Sequence, residues 1–302
     1  MNTIRTNNLK DFTTKYLNTA VSDEVNQRAM RDLNNPSDKN FFAIQRTNLA
    51  RDLIQFPIPP HRVDFYEILF IEKGSTRRTV DLMHFELKDS SFSLTKPGQI
   101  VSDDLISSNI RGYHLYFDQA FVLACSKELL HITLFQPLDI AYNQITPLHF
   151  KEIKFLLEKI ERLYIDESDN SLLKSYITTL LFELDSIIRK NGTHQSELPI
   201  SQVAQRYRQM ISLQPNIKLS IAYYAEILNT TARSLNREVK NVYGKTPLEL
   251  KTDSIITNAH VMLADRKMSV TEIALSLGFE DMAYFSRFFK KRTGKTPSEM
   301  RG

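Results

Sequence analysis

The sequence predicts an α+β protein: an N-terminal antiparallel β-barrel with a helical hairpin, then an all-α domain that repeats one helix–turn–helix unit. Three observations predict it. Short β-branched and aromatic runs between residues 41 and 120 alternate with Gly, Pro, Asp and Ser. From Pro147 the apolar spacing becomes helical. Near the C-terminus one pattern occurs twice, at Leu219–Leu250 and at Met268–Met300.

Taken in order, residues 1–40 are polar and poor in aromatics, and read as an arm with at most one helix. The strand-like runs are Phe65–Ile71, Thr79–Met83, Ser91–Leu94 and Tyr113–Phe117. Pro57–Pro60, Lys73–Ser75, Lys88–Ser90 and Pro97–Gly98 punctuate them. Ile153, Leu156, Leu157, Ile160, Leu163 and Tyr164 then fall on one helical face. After the break Asp166–Asn170, a helix over Ser171–Lys190 carries Leu173, Ile177, Leu180, Leu184 and Ile187. That is a seam about two heptads long, flanked by Lys174, Glu183, Asp185 and Arg189, and it suits either packing on the barrel or a dimer interface. Asn191–Glu197 is a polar, Gly-containing linker. The domains expected are therefore 1–146 (arm and barrel), 147–190 (hairpin), 191–197 (linker) and 198–302 (the repeated helical units).

Composition sets limits on function. The 302 residues suffice for two cores. A single cysteine, Cys125, forms no internal disulfide and suits a reducing compartment. The polar start lacks a signal-peptide run, and no apolar stretch approaches the ~18 residues of a membrane helix, so a cytoplasmic protein is expected. The net charge of +4 is unevenly spread. Residues 199–302 hold 16 Lys and Arg against 9 Asp and Glu, while the rest holds 23 against 26. Excess positive charge confined to one domain is the footprint of a polyanion binder.

The repeat gives that charge a form. Each copy opens with a short helix, Ser220–Leu228 or Ser269–Leu277, with Ala225 or Ala274 where a second helix crosses. Ser269 and Glu272 form a capping box. A tight turn follows, Asn229-Thr230 or Gly278-Phe279, and Gly278 suits a positive φ. Thr231 and Asp281 are placed to cap the second helix. That helix turns Leu235 and Val239, or Phe285, Phe288 and Phe289, inward. Its other face carries Arg233, Asn236, Arg237 and Lys240, or Ala283, Ser286, Arg287, Lys290 and Lys291. Thr246-Pro247 and Thr296-Pro297, each with Glu two residues on, cap a third helix. A helix with a polar, basic outer face after a tight turn is the form that enters the major groove. Arg and Asn offer bidentate donors to guanine and adenine, and lysines reach phosphates. The candidate DNA-binding residues are Thr231, Arg233, Ser234, Asn236, Arg237 and Lys240, with Met282, Ala283, Ser286, Arg287, Lys290 and Lys291.

The run Ile273-Ala274, Gly278-Phe279, Asp281, Tyr284-Phe285, Arg287, Phe289-Lys290-Lys291, Gly294 and Thr296-Pro297 resembles the signature of AraC/XylS regulators almost position for position. The resemblance covers the last ~35 residues and, through the first copy, the C-terminal domain. It implies a bipartite DNA-binding domain whose two recognition helices reach successive major-groove faces on one side of the duplex. Departures are Ala283, where the family often has Ser, and Asn229, where Gly is common. Arg233 sits at a position that varies between members, so the operator does not carry over.

In the N-terminal region, Pro60-His61-Arg62-Val63-Asp64-Phe65-Tyr66-Glu67, with Gly74 beyond, is similar to the cupin metal motif. Val63 replaces its second histidine, and Ile100 and Val101 stand where a later one is expected. One imidazole and one carboxylate fall short of three protein ligands, so a metal-free, cupin-like sensing barrel is expected, without a cofactor. His61, Phe65, Tyr66 and Glu67 are the candidate effector contacts. Strand parity sets His61, Val63, Phe65, Glu67 and Leu69 on one face and Tyr66, Ile68 and Phe70 on the other. The seven histidines show no metal spacing, and no nucleophile elbow, Walker or dinucleotide loop is present. The expected function is thus a non-enzymatic DNA-binding transcriptional regulator, an activator by type, whose N-terminal domain senses an effector or dimerises. The alternative is a metal-dependent cupin enzyme fused to a DNA-binding domain. The expected partners are double-stranded DNA, a small-molecule effector, RNA polymerase and a second copy of the chain, with no membrane.

Overall fold

The computed structural model describes residue 28 and residues 41–48, 56–135, 143–166, 170–192, 201–264 and 268–301. The expected N-terminal arm lies outside them except for Arg28, as does the linker beyond Gly192. The chain divides into two compact units, Met1–Ser196 and Glu197–Gly302.

The first unit is two facing antiparallel sheets. Its strands are β1 (Phe42–Arg46), β2 (Ile58–Arg62), β3 (Tyr66–Lys73), β4 (Thr76–Val80), β5 (Met83–Leu87), β6 (Ser91–Thr95), β7 (Ile100–Ile106), β8 (Arg111–Phe117) and β9 (Asn143–Gln144). One sheet has the order β1-β8-β3-β6-β9, the other β2-β7-β4-β5. In the first sheet, Ile68 is opposite Leu94 and Leu115, and Phe70 is opposite Phe92 and Tyr113. This face packs on α2 (Pro147–Asp166) and α3 (Asn170–Gly192), with Phe70 stacked on Phe150 at 5.6 Å between ring centroids. A short helix, α1 (Gln119–Cys125), is capped by Asp118 and seats Phe121 against Phe42. The alternate residues Glu67, Leu69 and Ile71, with Tyr116 and His114 beside them, face the second sheet.

Several expectations are corrected here. The run Thr79–Met83 is not one strand: Asp81 takes φ 53° and turns the chain between β4 and β5. Pro57–Pro60 does not merely punctuate, because Pro59 and Pro60 lie within β2. This is tolerated since β2 is the edge of its sheet. The α3 seam is core: Ile177, Leu180, Leu184 and Ile187 are buried in the cluster that includes the sheet, and Leu173 packs at its border. Asp185 does not border solvent. It is buried, accepts the Leu134 amide at 2.8 Å and pairs with Arg189. Helix α3 also continues through Asn191 and Gly192, where the linker was expected to begin.

The second unit is helical: α4 (Gln202–Leu213), α5 (Ile221–Ile227), α6 (Ala232–Tyr243), α7 (Pro247–Ala264), α8 (Val270–Ser276), α9 (Met282–Thr293) and α10 (Pro297–Arg301). Serine, threonine or aspartate caps start α4, α5, α6, α8 and α9, each accepting a backbone amide that the helix leaves unpaired. Gly244 and Gly294 end α6 and α9 in the left-handed region. Tyr207 of α4 meets Tyr224 edge-on at 5.3 Å and donates to the Pro247 carbonyl, closing the first core. The second core gathers Ile273, Ala274, Leu277, Phe279, Phe285 and Phe289 around α7.

Candidate functional site

The two turns that aim α6 and α9 have matching hydrogen bonds. The Thr230 amide donates to the Ala225 carbonyl and the Phe279 amide to the Ala274 carbonyl, each at 2.9 Å. Asn229 and Gly278 both adopt positive φ, 51° and 83°. Asparagine is the side chain that best tolerates this region after glycine, which accounts for the Asn229 departure. Ala225 and Ala274 are buried beneath the crossing helices, and Leu235, Val239, Phe285 and Phe289 point inward. Phe288 is only partly buried.

The opposite faces are open. Thr231, Arg233, Asn236, Arg237 and Lys240 are exposed on α6 and its cap, as are Met282, Ala283, Arg287, Lys290 and Lys291 on α9. Arg233, Lys240, Lys290 and Lys291 make no ion pair among the described residues. Arg287 has only a long approach to Asp281, 3.9 Å. Ser234 and Ser286 are half-buried. Ser234 donates to Glu238 at 2.8 Å, and Glu238 also accepts from Ser201. These two hydroxyls, from Ser201 first, hold the Glu238 carboxyl below its ordinary range. Ser234 thus braces α6 internally, while its neighbours face outward. Met282 receives the Thr271 hydroxyl on its sulfur at 3.0 Å.

Between the two sheets a buried ion cluster sits beside an apolar group of Leu69, Ile71, Leu87 and Ile110. Arg78 of β4 donates to both Glu67 oxygens, at 2.8 and 3.1 Å, and to both Asp103 oxygens, at 2.7 and 3.1 Å. All three are buried. Burial would push the Glu67 carboxyl up, but Arg78, with His114 and His61 adding, holds it down. Burial lowers His61 and His114 from the usual imidazole range. His114 shares a 2.7 Å hydrogen bond with the Tyr116 hydroxyl, and His61 has its Nδ1 3.1 Å from the Pro59 carbonyl. Gln45 Nε2, Thr47 Oγ1, Ser93 Oγ and Thr95 Oγ1 are buried without a hydrogen-bond partner among the described residues. Register sets Gln45 beside His114, Ser93 beside Leu69 and Thr95 beside Glu67. A cavity of about 20 Å³ lies at one end, bordered by Thr47, Leu69, Arg78, Asp103 and His114.

Of the four expected effector contacts, His61, Phe65 and Glu67 come together around this interior, Phe65 lying edge-on to Tyr116 at 5.7 Å. Tyr66 lies on the opposite face, stacked on Phe117 and edge-on to Phe135. Sequence reading missed Arg78, Asp103, His114 and Tyr116. The available signal was a charged residue at the inward parity of Thr76-Arg77-Arg78-Thr79-Val80. The carboxylate of the cupin-like motif is held by a guanidinium, and among the described residues no three His, Cys, Asp or Glu side chains are grouped to hold a metal ion.

Paired helix–turn–helix units with open cations, joined to a β-sandwich that holds a buried ion cluster, define a two-domain DNA-binding transcriptional regulator. Sequence models agree with each half: the AraC-like ligand binding domain matches residues 49–181, and the helix-turn-helix domain matches residues 224–302. The HTH-type transcriptional activator RhaS of Mannheimia succiniciproducens is 26% identical over 256 residues, 80% of this chain and 89% of that protein. RhaS of Shigella dysenteriae is 24% identical over 278 residues, 87% and 95% of the two chains. Among solved structures, ToxT from Vibrio cholerae is similar at a TM-score of 0.42 and 14% identity, over 86% of this chain and 96% of that one. The C-terminal domain of AraT from Geobacillus stearothermophilus gives 0.33 and 30% identity over 34% of this chain and 87% of that one. The chain belongs to the AraC/XylS family of transcriptional regulators. Among the described residues, no helix is long and apolar enough to cross a membrane.

Proposed function

We propose that the protein is a cytoplasmic transcriptional activator that lays α6 and α9 into successive major-groove faces of its operator. The carrying observation is the pair of exposed basic faces at equivalent places in the repeat, Arg237 matching Arg287. Arg233, Asn236, Arg237 and Arg287 would read base edges. Lys240, Lys290, Lys291 and the cap residue Thr231 would meet phosphates. Met282 and Ala283 suit thymine methyl groups, and Ser234 and Ser286 lie at the border of the contact. The names of the relatives favour activation, which adds RNA polymerase to the partners. The domains then act as residues 1–146 for sensing, 147–190 as its covering hairpin, 191–197 as connection and 198–302 for DNA.

For the sensing half, the unpartnered polar atoms facing Glu67, Arg78 and Asp103 favour a small polar effector. A cavity of about 20 Å³ admits a water, so a larger effector would reach this ion cluster through a rearrangement of the sheets. An effector that binds the rearranged state more tightly would shift the protein toward it, as a sensor requires. A second copy of the chain, the remaining expected partner, would meet a surface other than the α3 stripe, which is core. No enzymatic role is assigned.

The test is Arg237→Ala and Arg287→Ala, measured by fluorescence anisotropy on a duplex selected by the full-length protein and on random duplex. Each loses about 1–3 kcal/mol on the selected site, and less on random DNA. Equal losses on both would show that these arginines touch phosphate alone.

A further inference from the structure

In each repeat a cation returns from the third helix to the residue just before the first. Lys251 Nζ donates to the Leu219 carbonyl at 2.6 Å and to the Ile217 carbonyl at 3.0 Å. Arg301 donates to the Met268 carbonyl. Lys251 and Arg301 each stand five residues after a capping threonine, Thr246 and Thr296. Leu219 and Met268 each precede a capping serine, Ser220 and Ser269. The duplication therefore includes a clamp that closes every three-helix unit.

The first clamp holds more than the second. The segment beneath it, Asn216–Leu219, is also seated on the turn between α8 and α9. The Ile217 amide donates to the Leu277 carbonyl at 2.9 Å. The Ile217 side chain packs against the second core. The Asn216 side chain covers Gly278 so closely that a Cβ there would stand 2.2 Å from its Oδ1. Lys218 pairs with Glu280 at 2.6 Å. Lys251 itself is 3% exposed, so its ammonium has exchanged water for these carbonyls.

We propose that Asn216–Leu219, pinned by Lys251, is a brace that fixes the angle and separation of α6 and α9. Lys251 is then a positioning residue that sets the spacing of the two half-sites. The proposal rests on the reading of α6 and α9 as paired recognition helices. Half-sites one helical turn apart, about 10–10.5 base pairs, present the same side of the duplex. A rigid pair of helices gains the second site at high effective concentration, and only at one spacing.

The experiment uses the full-length chain and three probes: the duplex it selects from a random pool, that duplex with one base pair inserted between the half-sites, and that duplex with the second half-site scrambled. Wild type should lose most of the second site's contribution on insertion. Lys251→Met should weaken the selected duplex about tenfold, leave the scrambled duplex unchanged, and make insertion nearly neutral. Lys251→Arg should restore the spacing requirement, since Arg301 does the same work in the second copy. Lys218→Glu, a surface change, should act in the same direction by about threefold, and Lys218→Glu with Glu280→Lys should reverse it. A Lys251→Met protein that keeps the wild-type insertion penalty overturns the brace, as does one that loses the scrambled duplex equally. If Lys251→Met does not fold, an unaltered insertion penalty in Lys218→Glu overturns it. A wild type that selects no duplex overturns the DNA reading itself, and the brace with it.

Discussion

Arg78→Met removes the guanidinium that bridges two buried carboxylates, Glu67 and Asp103. Arg78, Glu67 and Asp103 are 3%, 6% and 5% exposed, so water cannot replace the guanidinium without opening the sandwich. Removing one partner of a buried charge network costs about 3–5 kcal/mol, and here two carboxylates are left facing each other. At about 2–4 °C per kcal/mol for a domain of this size, the melting transition of the first unit should fall by roughly 10 °C. The pH dependence should also change sign. In the wild type Glu67 titrates below its unfolded value, so its stabilisation is present above about pH 4.3 and is lost as pH falls through the folded value. In the variant, burial is left as the dominant influence and the carboxyl rises. Its contribution is then present below the unfolded value and is lost as pH rises through the raised folded one. The deficit against wild type should therefore be larger at about pH 7.5 than at about pH 5. Differential scanning calorimetry of the full-length protein measures it. A deficit below about 1 kcal/mol, or one that does not vary with pH, would show that these carboxylates are solvated and would refute the reasoning.

Three further outcomes follow from the geometry. Gly278→Ala should destabilise the second unit by about 1–3 kcal/mol, because φ is 83° and the new Cβ would displace Asn216; Asn229→Gly at the equivalent turn should be neutral or stabilising by chemical denaturation. Leu180→Glu should unfold the first unit rather than dissociate an oligomer, since it sets a carboxylate in the core at a cost above about 4 kcal/mol; circular dichroism combined with sedimentation distinguishes the two, and a folded protein of altered mass would refute it.

The repeat was legible in the sequence because its signals are local. Ser269 with Glu272 and Thr246 with Glu249 are pairs three residues apart, and Gly278 turns its own stretch of chain, so each backbone need is met locally. The N-terminal site was not legible in this way. Arg78 and Asp103 are 25 residues apart on different strands, and no spacing announces that they pair. The stripe of α3 told that one face is buried, not against what; Phe70, Phe92 and Leu94 on the sheet decide that. The break at Asp81 was hidden because an aspartate, not a glycine, takes the positive φ, between residues with strand preference. The exposed faces of α6 and α9 follow from helical periodicity alone, whereas the half-burial of Ser234 depends on Glu238 and Ser201.

The prolines of β2 bear on how the protein behaves when crowded. An edge strand normally offers a row of amides to which a strand from another molecule can add. Pro59 and Pro60 have no amide hydrogen, and the pairing of β2 with β7 shifts register between Ile58 and His61. A foreign strand arriving at this border finds no continuous ladder to extend. The border is thereby guarded against the stacking that seeds fibrils, a protection that Pro59→Val and Pro60→Val together would remove.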